Sequence, residues 1–424
     1  MNEIGCIPKL YKIRQDIPSY EIEDIHQATQ SSIETLSVAK DLSGLTIGIA
    51  VGSRGIDNLI PILRSIIHSI TEQGGEAIII PAMGSHGGGT EQGQLEVLEG
   101  LGITEHALQT PILCCSRSTL LGYTEEGIPV YCSNAVSQVD HIVPVNRIKS
   151  HTDFTGKIES GICKMLAVGL GNQDGAMTVH AHALVKGYEA VITSVAAYLI
   201  NKIPILFAVG ILENWKGRTT EIKAFLSEDI IGTELALLAK MKADSIKLPF
   251  NNIDVLVIDQ FGKNISGTGM DTKVIGRIMV RGQKEPDVPV INRVVVLHLT
   301  PESHGNATRI GLADITTMNV FHSVDIKTTA INSISSMSPE QGRLPCILEN
   351  DLEAIKAAIF TLGIVDIQSI KMVYIRDTLS LEYLAVSAAL LSEVNANASL
   401  TILDEGEELR FDENGRIISM WENK

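Results

Sequence analysis

Short apolar, β-branched runs alternate along the chain with longer segments whose apolar residues recur every three or four positions. LTIGIAVG (45–52), EAIIIPAMG (76–84), VDHIVPVNRI (139–148), PILFAVGIL (204–212) and IDVLVIDQF (253–261) predict strands. NLIPILRSIIHSITEQGG (58–75), AHALVKGYEAVITSVAAYLINK (181–202) and TELALLAKMKAD (233–244) predict helices, the first stopped by Gly74-Gly75. Further on, VVVLHLTPES (294–303), IKMVYIRD (370–377) and SLTILDE (399–405) read as strands. LENDLEAIKAAIFTLG (348–363) and SLEYLAVSAALLSEVNAN (380–397) read as helices, and the tail as a hairpin turning at Asn414-Gly415. This βαβ rhythm predicts an α/β protein of two domains, with mostly parallel, helix-covered sheets and an interdomain cleft. The Gly-rich stretch FGKNISGTGMD (261–271) marks the junction. It gives an N-terminal catalytic and cofactor-binding domain over 1–265 and a C-terminal α/β domain over 266–424.

A length of 424 residues agrees with two domains. Hydrophobic residues make up 45% but aromatics only 4%, so the core must be Ile, Leu, Val and Ala. A net charge of −16 repels phosphate backbones and argues against a nucleic-acid partner. The six cysteines form no CxxC pair, as expected of reduced thiols. The N-terminus lacks an apolar leader core, and no stretch approaches the ~20 apolar residues of a membrane span. The expectation is a soluble, cytoplasmic protein with no membrane partner.

In open α/β sheets ligands bind outside the carboxyl ends of the strands. Unusual polar residues fall there: Arg54, His86, Arg147, Lys149, His151, Glu213, Lys263 and His304. Arg54, between Gly52-Ser53 and Gly55, is either a solvated turn arginine or a bidentate carboxylate ligand. His86 lies in GSHGGGT (84–90), where Gly87, Gly88 and Gly89 can form an anion nest; alone, such a histidine is equally a turn residue. Lys164 sits in the apolar run SGICKMLAVGLG, either snorkelling or kept for covalent chemistry. His180 and His182 face one side on a strand but diverge on a helix, so only one could reach a given metal there. Zincin, serine-hydrolase and Rossmann motifs are missing.

Taken in order, Arg54, GSHGGGT with His86, His151, ESGICK with Lys164, and His180 resemble the motifs of the lactate racemase family, over most of the chain. The resemblance implies a nickel-pincer nucleotide tethered to Lys164, with His180 as the protein ligand to nickel. Ser53, Gly87, Gly88 and Gly89 would contact the cofactor. His86 and His151 would be paired acid/base groups and Arg54 the carboxylate ligand of a 2-hydroxy acid that is racemised or epimerised by hydride transfer. Histidine suits the role because its pKa lies near working pH. Cofactor-synthesis enzymes would be partners.

The chain also departs from that family. Val51 stands where the family has aspartate, and Ile275, Gly276 and Met279 replace its tyrosine, glutamine and lysine. Lys273 and Arg277 are the candidates to compensate, and Glu302, His304 and Asn306 could read the distal part of a larger hydroxy acid. Two other readings remain open. One is a metal-dependent hydrolase or lyase built on His180, His182 and a carboxylate; the other is a binding protein without turnover.

Overall fold

The computed structural model describes residues 6–36, 41–418 and 420–421. The chain is α/β and separates into two compact units. One consists of Ser19–His151 and Thr155–Ser245; the other gathers Met1–Pro18, Thr152–Phe154 and Ile246–Lys424. The second unit thus begins at Ile246, ahead of the 265/266 junction expected from the glycine-rich stretch, and takes in the N-terminal strand.

That strand, β1 (Leu10–Gln15), is followed by the strands of the first unit: β2 (Thr46–Val51), β3 (Glu76–Pro81), β4 (Ser118–Tyr123), β5 (Pro129–Ser133), β6 (His141–Arg147), β7 (Ala208–Glu213) and β8 (Thr219–Phe225). Among the described residues, five of them form a sheet of order β3-β2-β6-β7-β8, and β4 and β5 form a separate hairpin. β3, β2, β6 and β7 run parallel and β8 antiparallel. β2 and β6 are apolar and buried over residues 47–51 and 142–145, because helices cover both faces of a parallel sheet. The helix Leu59–Glu72 buries Leu59, Ile62, Leu63, Ile66, Ile67 and Ile70 along one stripe, the face read from its spacing. The single helix expected over 181–202 is two, Asn172–Lys186 and Tyr188–Ile200, parted at Gly187, whose φ of +85° suits glycine.

In the other unit β9 (Asn252–Phe261), β10 (Val290–Leu299), β11 (Ile315–Thr317), β12 (Cys346–Leu348), β13 (Met372–Ile375), β14 (Tyr383–Ser387) and β15 (Leu400–Ile402) join β1. The order is β12-β11-β10-β9-β13-β14-β1-β15, parallel from β12 to β13 and antiparallel beyond. The helix expected over 380–397 is therefore corrected. Its first part is β14, and only Leu391–Ala396 is helical. Leu384 and Val386 enter one core and Ala385 the other, so burial on both faces overrides the helix-favouring Leu, Ala and Glu content. At the tail, Phe411 bridges Ile417 around Asn414-Gly415, as the turn signal implied; residues 419 and 422–424 of that segment lie outside the described residues.

Strand β3 and the segment after Lys164 meet backbone to backbone. Gly84 N–H donates to Gly169 O at 3.0 Å, and a Cβ at Gly169 would stand 2.5 Å from Ala82 O. Gly169→Ala is therefore expected to lower stability by about 1–3 kcal/mol, the usual cost of overpacking. Denaturant unfolding of the full chain would show it, and wild-type stability would contradict this close packing.

Candidate functional site

Counted within its own sheet, the five-stranded order is 2-1-3-4-5, so the winding reverses between β2 and β6. The turns leaving the carboxyl ends of β2, β3 and β6 carry most of the candidate residues. After β2 the chain turns through Gly52, Ser53 and an exposed Arg54. After β3 it enters the tight turn His86–Gly89, where Gly87, Gly88 and Gly89 have φ of 66°, 66° and 67°. Three successive left-handed residues explain the glycine run. A Cβ on Gly87 would meet the Gly93 backbone at 2.4 Å, whereas nothing lies within 4 Å of one on Gly88. Thr90 then caps the helix Glu91–Gly100.

After β6, Arg147 pairs with Glu213 at the end of β7, and Glu213 also accepts the Asp57 N–H at 2.7 Å. These two candidates join strand ends. His151 follows, its N–H donating to the Glu159 carboxylate at 2.5 Å. Glu159 is wholly buried and satisfied by Gly156 N–H at 2.9 Å and Lys242 Nζ at 2.5 Å.

Lys164 closes a short helical turn, Ile162–Lys164, which runs into a π-helical stretch, Met165–Gly169, before the helix Asn172–Lys186. Such stretches are uncommon and frequent at functional sites. Ile162, Cys163, Met165 and Leu166 are buried and Lys164 half-buried, as its apolar flanks required. Its Nζ lies 2.5 Å from His151 Nε2.

His180 and His182 sit on a helix, where they diverge. His180 Nδ1 is 3.3 Å from the Tyr188 hydroxyl. The Tyr188 ring stands edge-on to His180 at 5.8 Å and stacks on His151 at 6.5 Å. Sequence reasoning missed Tyr188; Gly187, which starts a new helix there, was the available signal.

The Ser53 hydroxyl hydrogen-bonds to His86 Nδ1, which sets the ring's rotation. The protein packed around His86 disfavours its charged form, and the positive charges of Arg54, Lys164 and His180 add to that, so its pKa falls to about 4. The expected near-neutral pKa is thereby corrected. At neutral pH His86 is an uncharged imidazole, able to accept a proton.

Lys263, Lys273, Arg277 and His304 belong to the other unit. Lys273 Nζ donates to Phe154 O at 2.9 Å and Lys263 Nζ to Gly267 O at 2.8 Å. Arg277 pairs with Asp314 at 2.8 Å and donates to the carbonyls of Leu312 and Ile291. His304 is exposed, with a left-handed φ of 46°. Among the described residues no three His, Cys, Asp or Glu side chains group to hold a metal, so the hydrolase ligand set is not assembled. Nor is any helix among them long and apolar enough to cross a membrane.

No family model matches the chain, and the comparison with curated proteins finds no match. Among solved structures the chain is similar to the lactate racemase apoprotein from Thermoanaerobacterium thermosaccharolyticum. The two are 12% identical over 88% of this chain and 89% of that one, with a TM-score of 0.47. The likeness is a distant one of fold, and the chemistry of the site rests on its own side chains.

The His86 ring, followed by NMR, is expected to titrate near 4, and Arg54→Ala to move that midpoint upward. A wild-type midpoint at the ordinary 6.5 would contradict the crowding described. The unfolded chain takes up this proton near 6.5 and the folded one near 4, so the histidine weakens the fold as pH falls through that window.

Proposed function

We propose that the chain is a racemase or epimerase acting at the 2-position of a 2-hydroxy acid, with a nickel-pincer nucleotide tethered to Lys164. The supporting observation is the gathering, at one sheet end, of the Lys164 amine against His151 Nε2 with His86, His180 and Arg54 close enough to act on one another. The residues fit such a group. An imidazole 2.5 Å from the amine can take its proton, as amide-type bond formation requires. Tyr188 engages His180 at Nδ1, so Nε2 is the nitrogen to offer a metal. Open space at Gly88 leaves room for a bulky ligand beside His86. When bound, the nucleotide supplies a hydride acceptor, and loading it makes cofactor-synthesis enzymes the partners of this chain.

The protein's own part is positioning and proton transfer. Arg54 binds the substrate carboxylate through paired N–H donors. That negative charge offsets the cations that add to the effect of burial on His86, so binding raises the proton affinity of His86. The imidazole can then take the hydroxyl proton and return it. His151 performs the same service for the other enantiomer, and Tyr188 steadies its ring.

Protein produced together with the cofactor-synthesis enzymes and nickel is expected to interconvert hydroxy-acid enantiomers, read by chiral chromatography. His86→Ala and His151→Ala should each lower kcat by about a hundredfold or more. Arg54→Lys should act chiefly on KM, since an ammonium cannot make the paired contact. Unchanged turnover in both histidine variants would contradict the assignment.

A further inference from the structure

The helical turn that ends at Lys164 begins without a local cap. Gly161 occupies the capping position and has no side chain to offer the free N–H groups of the first turn. Glu234, from the helix Ile230–Asp244, takes that place across 71 residues of chain: its Oε2 accepts the Cys163 N–H at 2.8 Å, and the Ile162 N–H also bonds to the carboxylate. The side chain is wholly buried and its Oε1 has no hydrogen-bond partner among the described residues. A Cβ on Gly161 would stand 2.4 Å from that Oε1, so the turn needs glycine because the carboxylate is there. On the other side, Asn146 Nδ2 at the end of β6 holds Gly161 O at 2.9 Å. Burial pushes the Glu234 carboxyl up to about 7, and the neighbouring Cys163 thiol is itself pushed up by burial.

We propose that Glu234 is a positioning residue: it caps the helical turn that carries Lys164 and thereby holds the Lys164 amine against His151 Nε2. The proposal rests on Lys164 being the reactive lysine of the site, but its test does not require turnover. Trace acetylation of the full chain with acetic anhydride, read by peptide mass spectrometry across pH, reports the reactivity of each lysine, with Lys157 as internal reference. Glu234→Leu preserves bulk but removes the acceptor. It is expected to lower Lys164 acetylation near neutral pH roughly tenfold and to displace its pH profile, the scale of one lost hydrogen bond to a charged group. Glu234→Gln keeps an acceptor oxygen for the Cys163 N–H and should restore both.

A folded leucine variant with the wild-type Lys164 profile would overturn the proposal, because a residue that merely fills the core is replaceable by bulk. So would a glutamine variant no better than leucine. Should the leucine variant not fold, Gly161→Ala presses on the same carboxylate from the turn side and is expected to displace the Lys164 profile; a wild-type profile in that folded variant would overturn it equally. Since acetylation is read without cofactor or substrate, a negative result leaves the racemase reading standing, and an inactive enzyme leaves the capping role testable.

Discussion

Burial of His86 beside the positive charges of Arg54, Lys164 and His180 is the constraint around which this end of the sheet is built. Burial disfavours the charged form of His86 and the neighbouring positive charges add to that, so its pKa is held at about 4. Glu159 is matched by Lys242, and burial favours the neutral form of Glu234. In a chain of net charge −16 the result is a local cationic mouth, suited to a small anion although the molecule as a whole repels them. An arriving carboxylate would change the proton affinity of His86 directly, which is how binding and acid/base chemistry become coupled.

The scaffold makes this tolerable by fixing the groups in backbone-rich turns. β2 and β6 are neighbours where the winding reverses, the place at which open α/β sheets bind ligands beyond the strands' carboxyl ends. The helix Ile230–Asp244 grips the intervening segment at two points, through Lys242 on Glu159 and through Glu234 on the Cys163 N–H. Both ends of the stretch from His151 to Lys164 are thus tied to one element, which fits a pair of reactive nitrogens only 2.5 Å apart.

Much of this was legible in the sequence. The strands β2, β3, β6 and β9 announce themselves as apolar runs, because a sheet covered on both faces needs no polar alternation. Arg54, His86, His151 and Lys164 stood out as polar residues at strand ends or inside an apolar run. What could not be read depended on distant partners. β14 looks helical until β13 and β1 are there to flank it, and Glu234 is an unremarkable helix glutamate until Gly161 comes to lie against it. Tyr188 needed the break at Gly187 to be recognised. The depressed pKa of His86 needed the burial that only the folded chain provides, with three charges from separate segments adding to it.

The central claim is that Lys164 is the tether around which the site is organised. It is tested most directly by the intact mass of the chain after production with the cofactor-synthesis enzymes and nickel, followed by peptide mapping. The account predicts a single covalent adduct of nucleotide mass on Lys164, lost in Lys164→Ala. An unmodified Lys164 under conditions that load a known nickel-pincer enzyme, or an adduct on another lysine, would contradict it.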